Sequence, residues 1–263
     1  MQMAMAQRIK VIKIGGNVID NAEALADFCE KFRRLAGPKV LVHGGGKEAS
    51  RLEAALGLET KMIEGRRVTS AESLDVVTMV YAGLINKRIV ARLQAIGVDA
   101  IGMSGADADI IKAVRRSSDP IDYGFVGDIS PLDVRSDMFM KLLAMGLTPV
   151  VCAIMHDGDG QLLNCNADSV ASAVARGLSS LSKVDLIYCF EKPGVLMDAD
   201  DDNSVIGEID SEKFESLKSA GVVSKGMIPK LQNALVALRG GVSEVYIKSA
   251  RNLLEPTGTL LRL

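Results

Sequence analysis

Two hydrophobic patterns alternate along the chain. Short, largely apolar runs read as strands, at residues 8–14, 40–43, 98–102, 148–154, 184–190, 243–248 and 257–261. Between them, apolar positions recur every three or four residues and predict helices at 47–56, 136–145, 166–178, 212–220 and 225–239. Asp20-Asn21-Ala22-Glu23 reads as a capped start to a further helix that runs to Leu35 and stops at Gly37-Pro38. Residues 61–68 suggest a basic hairpin, and 103–134 an irregular, turn-rich region. Thr69-Ser70-Ala71-Glu72 looks like a capping box opening the longest helical pattern, 71–96. Its stripe, Leu74, Val77, Tyr81, Leu84, Ile85, Ile89, Leu93 and Ile96, suits a core helix or one bridging into a second subunit. Strands alternating with helices predict an α/β fold: a mostly parallel sheet covered on both faces. There is no internal repeat, low-complexity segment or evident linker.

The glycines add chemistry to this pattern. Val40-Leu41-Val42-His43 stops in Gly44-Gly45-Gly46 and passes into a helix, and Lys13-Ile14 stops in Gly15-Gly16. A strand, a glycine turn and a helix present bare backbone N–H groups and a helix dipole to an anion. The net charge of −2 over 263 residues means any anion attraction is local, and argues against nucleic acid or an anionic membrane as partner. Only 4% of residues are aromatic, and none is Trp, which disfavours base-stacking surfaces. The cysteines, Cys29, Cys152, Cys165 and Cys189, form no CxxC pair, and only His43 and His156 could join them. Reduced core thiols in a cytoplasm are expected, with no metal site. Met1 to Gln7 lacks an apolar signal core, and the longest apolar run is far below the roughly 20 residues of a membrane span.

Several motifs fail on their required context. Gly44-Gly45-Gly46-Lys47-Glu48-Ala49 fits the dinucleotide fingerprint formally, but that pattern leaves Lys13 and Gly15-Gly16 unexplained. His43-Gly44-Gly45-Gly46 resembles an esterase oxyanion loop, yet Gly102-Met103-Ser104-Gly105-Ala106 lacks the last glycine of a serine elbow. No P-loop is present. The acid run at Asp198, Asp200, Asp201 and Asp202 has Asn203 and Ile209 where a calcium loop needs glycine and glutamate. What remains is phosphate chemistry built from Lys13, Arg67, Asp168, Lys225 and Lys230 beside glycine turns, where open α/β sheets bind ligands.

Taken together, these stretches resemble the amino acid kinase family almost end to end. The matching segments are 13–16, 42–46, 65–69, Asn86-Lys87, Gly124-Phe125-Val126-Gly127, Asn164-Cys165-Asn166-Ala167-Asp168, Gly226-Met227-Ile228-Pro229-Lys230 and Gly258-Thr259. The resemblance implies a single domain, 1–263, with a three-layer αβα sandwich. A lobe at about 1–178 would bind an acylglutamate, and one at about 179–263 would bind ATP. It implies phosphoryl transfer from MgATP to the side-chain carboxylate of N-acetylglutamate, in arginine biosynthesis. By position, Lys13 and Lys230 match transition-state lysines and Asp168 the aspartate that holds them. Gly45, Gly46, Arg67 and Asn164 match the substrate site. Gly15, Gly16, Glu191, Gly194, Val195, Leu196, Val222, Val223 and Ser224 match the nucleotide site.

Elementary chemistry points the same way. A glutamate side chain, pKa about 4.3, is ionised at neutral pH, so no general base is needed. The difficulty is bringing an anion up to a polyanion, which calls for positioning and charge neutralisation. Arg67 is expected to grip an α-carboxylate and Asn164 an acylamide. Asp168 is expected to organise the lysines, and Mg²⁺ to be held mainly by the phosphates. Three features depart from the family pattern. Glu191-Lys192-Pro193-Gly194 replaces Asp-Val-x-Gly. Cys165 stands for a valine. Cys152-Ala153-Ile154-Met155 lacks the usual proline, which leaves room for another acyl chain such as succinyl. The first strand begins by Arg8, without the extra N-terminal helix of arginine-inhibited hexameric relatives, so a homodimer packed through 71–96 without arginine feedback is expected.

Overall fold

The computed structural model describes residues 8–63, 66–223 and 227–263. β1 (Ile9–Ile14) is followed by a short α1 (Gly16–Ile19), α2 (Ala22–Arg34), β2 (Lys39–His43) and α3 (Gly46–Ala55). A small hairpin, β3 (Met62–Ile63) and β4 (Arg66–Arg67), leads to α4 (Ala71–Thr78), a π-helical segment (Met79–Ile85) and α5 (Asn86–Ala95). Next come β5 (Ala100–Met103), β6 (Val114–Arg115), β7 (Gly127–Asp128), α6 (Ser136–Ala144), β8 (Thr148–Cys152), β9 (Ile154–His156) and β10 (Leu162–Asn164). The chain closes with α7 (Ala167–Ser179), β11 (Val184–Phe190), β12 (Glu208–Ile209), α8 (Ser211–Ser219), α9 (Ile228–Arg239), β13 (Glu244–Ser249) and β14 (Thr259–Leu261).

Among the described residues, eight strands make one sheet in the order β12-β14-β13-β11-β1-β2-β8-β5. The six from β13 to β5 are parallel, and β14 and β12 run the other way. β2 and β8 are buried along their whole length, which requires cover on both faces. α6, α7 and α9 pack side by side on one face, and α2 and α5 pack together on the other. This is the expected three-layer αβα sandwich.

Local details differ from the sequence expectations in instructive ways. Asn21, not Asp20, caps α2, accepting from the Glu23 and Ala24 N–H groups. Ser70, not Thr69, caps α4. Thr69 is fully buried, its backbone paired with Tyr123 and Phe125, so it is not free to cap. The run at 148–154 breaks at Ala153, because the Ala153 carbonyl accepts from Cys165 N–H and β9 leaves the sheet to pair with β10. The long helix is continuous, but Met79–Ile85 widens into a π-segment. Such segments re-aim side chains. Here it lies where Tyr81 and Ile85 meet the glycine turn after β2. A Cβ on Gly45 would collide with Ile85 and stand 3.0 Å from Tyr81.

His43 pins that turn. Its Nδ1 donates to the Gly44 carbonyl at 2.8 Å, and its Nε2 accepts from the Asn86 amide at 3.0 Å. Asn86 also donates to the Val150 carbonyl, tying α5 to β8. Burial pushes the His43 pKa down to about 4, and Lys87 adds to this, so the ring folds neutral. The unfolded ring titrates near 6.5. Stability from neutral His43 is therefore complete above about pH 6.5 and lost as pH falls toward 4, on the order of 3 kcal/mol. Urea unfolding between pH 7 and 4 checks this: His43→Gln is expected to flatten the slope of stability against pH over that window.

Candidate functional site

The parallel strands end in line. Ile14 is in register with His43 and Cys189, His43 with Cys152, and Phe190 with Ser249. Two cavities open at this carboxyl edge, one of about 230 Å³ and one of about 510 Å³. Lys13, Gly15, Gly16, Gly46 and Asp168 line both. The sequence-predicted lysine, aspartate and glycines thus form the partition where two ligands would meet.

Lys13 Nζ lies 2.7 Å from the Asp168 carboxylate. Asp168 is held in the first turn of α7, where the Asn166 side chain caps its N–H, and the Tyr188 hydroxyl donates to its carbonyl at 3.2 Å. Lys230, in the first turn of α9, lines the larger cavity. Asp168 was expected to hold both lysines. Among the described residues it pairs within 4 Å only with Lys13, while the Lys230 Nζ sits 3.7 Å from the centre of the Phe190 ring. Burial holds Lys230 below the usual lysine value, and Lys13 adds to that, while Asp168 and Glu191 oppose it.

Arg67 and Asn164 both line the smaller cavity. Arg67 Nη1 pairs with Glu53 and donates to Thr60, and Nη2 donates to the Gly46 carbonyl at 2.9 Å and Ser50 at 2.8 Å. Both Nη atoms are engaged by the protein, so Arg67, expected to grip an α-carboxylate, is a cation fixed in place by Glu53, Thr60, Gly46 and Ser50. Glu53 is 1% exposed and also accepts from Thr60 and Ser73. Asn164 donates its amide to Thr69 at 3.0 Å. Gly44 and Gly45 line the same cavity, and Ala153, Val126 and Cys165 add apolar surface to it.

Of the nucleotide-site expectations, Gly15, Gly16, Glu191 and Gly194 line the larger cavity. Val195 and Leu196 are packed behind it, the Val195 N–H donating to Thr259. Val222 closes α8 through a bond to Leu217, and Val223 is core; among the described residues that line these two cavities, neither appears. Ser224 and Lys225 lie outside the described residues. The acid run turns on itself, with Asp198 and Asp201 accepting nearby N–H groups and Asp202 paired with Lys192. Sequence reasoning missed Glu53, Tyr81 and Phe190. Glu53 could have been found: it lies four residues after buried Ala49, on the inward stripe of α3. Phe190 carried no local signal.

The amino acid kinase family model matches residues 8–249, and the chain belongs to that family. It is 51% identical over 250 residues to the acetylglutamate kinase of Cytophaga hutchinsonii, covering 95% of this chain and 94% of that one. It is 47% identical over 258 residues to the acetylglutamate kinase of Bacteroides thetaiotaomicron, covering 98% and 100%. The solved structure of smu.665 from Streptococcus mutans superposes with a TM-score of 0.78 at 28% identity, covering 96% and 98%.

Glu53→Gln would leave buried Arg67 without its countercharge. A loss of about 3 kcal/mol is expected, read as a lower urea midpoint.

Proposed function

We propose that this chain transfers the γ-phosphoryl group of ATP to the side-chain carboxylate of N-acetyl-L-glutamate, giving N-acetyl-L-glutamyl 5-phosphate for arginine biosynthesis. The observation that carries this reading is the pair of cavities sharing Lys13, Asp168 and three glycines, in a chain about half identical to acetylglutamate kinases over nearly its whole length. The acylglutamate occupies the smaller cavity and the nucleotide the larger. This corresponds to an N-terminal lobe at about 1–178 and a C-terminal lobe at about 179–263.

The acceptor is already an anion, so the reaction needs no base. A carboxylate oxygen forms a bond to the γ-phosphorus as the bond to the ADP oxygen breaks. Lys13 and Lys230 neutralise the charge on the transferring group, and Asp168 fixes Lys13 between the cavities. The Gly15-Gly16 and Gly44–Gly46 turns supply N–H groups without bulk. Arg67 sets a positive charge at the α-carboxylate, and Asn164 faces the acylamide. The residues fit Mg²⁺ carried by the nucleotide: of the two carboxylates lining the larger cavity, Asp168 is paired with Lys13, leaving Glu191 and the phosphates as donors. The ion would supply charge neutralisation on the β- and γ-phosphates.

No helix among the described residues is long and apolar enough to cross a membrane. Four buried thiols suit a cytoplasmic enzyme. The exposed Met79 and Leu84 on the π-segment support a homodimer packed through that helix. A second reading, N-succinylglutamate as acceptor, is favoured by the small Ala153 and Cys165 on the acceptor wall.

Coupled assays with N-acetylglutamate, N-succinylglutamate and free glutamate test this. Activity on an acylglutamate is expected. Activity on free glutamate alone, or on none of the three, would sink the reading. Lys230→Ala is expected to lower kcat by about 10²–10³-fold with little change in KM for the acylglutamate. An equal loss in binding would assign Lys230 to the ground state.

A further inference from the structure

Phe190 stands at the end of β11 on the same face as Tyr188, two residues earlier. The two rings stack, 5.9 Å apart and 7° from parallel. Tyr188 is 1% exposed and bonded to the Asp168 carbonyl, so it fixes the plane of Phe190 from below. Both lysines lie over the Phe190 ring: Lys230 Nζ 3.7 Å from its centre and Lys13 Nζ 5.3 Å. Asp168, from α7, is already paired with Lys13. Among the described residues, no carboxylate lies within 4 Å of Lys230. Glu191 follows the ring, and Lys47 of α3 and Lys192 line the same cleft, so the surroundings are rich in positive charge.

We propose that Phe190 is a positioning residue for phosphoryl transfer: its ring face seats the Lys230 ammonium beside Lys13 at the partition between the two cavities. The inference rests on the phosphotransfer reading of that partition. An aromatic face attracts a cation through its quadrupole while carrying no formal charge. A carboxylate in that place would hold Lys230 as well but would repel a triphosphate. The ring keeps two like charges side by side and yields one of them to the incoming γ-phosphate. Burial already lowers the Lys230 pKa, and the ring works against that by favouring the ammonium form.

The test compares Phe190→Leu and Phe190→Tyr in the full chain. The titration of Lys230 is followed by NMR on lysine-labelled protein, with its signal assigned through Lys230→Arg. Phe190→Leu is expected to lower the Lys230 midpoint by about half a unit to one unit. It should also lower kcat about tenfold with KM for the acceptor unchanged. Phe190→Tyr keeps a ring and should retain both values. Should leucine not fold, Phe190→Met, an unbranched filler over Tyr188, takes its place. An unshifted midpoint in the ring-less variant, or an equal loss in Phe190→Tyr, overturns the proposal. The titration needs no turnover: a wild type inactive on every acylglutamate would refute the kinase reading, while the midpoints would still decide the role of Phe190.

Discussion

The structure depends on one ion pair, Lys13 with Asp168. It joins the end of the central strand β1 to the first turn of α7 with both side chains largely buried. Burying two charges carries a desolvation cost that a pair of this kind does not clearly recover in stability. Its value lies in place: it stands where the two cavities meet. The larger cavity is lined by four lysines and two carboxylates, in a chain whose net charge is −2. The attraction for a polyanion is therefore built at one sheet edge rather than spread over the surface.

That edge is kept in shape by neutral devices. Parallel register brings the strand ends level, so the glycine turns after β1 and β2 lie side by side. His43 locks one turn as an uncharged ring between Gly44 and Asn86. The π-segment brings Tyr81 and Ile85 close enough to Gly45 that a side chain there has no room. Arg67 is immobilised by Glu53, Gly46 and Ser50. The positive charges thus stand in fixed places before a ligand arrives, and such preorganisation lowers the reorganisation cost of the reaction.

Much of this was legible in the sequence. The alternation of apolar runs and helical stripes gave the layered sheet, because buried parallel strands must read that way. Glycines beside Lys13 and His43 marked the ligand edge. The misses have physical causes. Cap positions shifted by one residue for two reasons: Asp20 closes α1 through its N–H to Gly16 and leaves the cap of α2 to Asn21, and Thr69 is held by tertiary bonds to Tyr123, Phe125 and Asn164. Glu53 went unread because its partner, Arg67, lies fourteen residues later in the chain. Phe190 looked like a strand-end hydrophobe, since its partners Lys13 and Lys230 lie far away in sequence. Val222 and Val223 matched a nucleotide-site position in the family; Val223 is buried and Val222 partly buried, and neither lines the larger cavity.

The central claim is that an acceptor carboxylate oxygen attacks the γ-phosphorus at the Lys13–Asp168 partition. N-acetylglutamate labelled with ¹⁸O in its side-chain carboxylate, incubated with ATP and the enzyme and trapped with hydroxylamine, tests it most directly. Hydroxylamine attacks the acyl carbon, so the bridging oxygen leaves with phosphate. The account predicts a hydroxamate together with phosphate carrying one ¹⁸O. Phosphate free of ¹⁸O, released without hydroxamate, would mean that water is the acceptor and would contradict it.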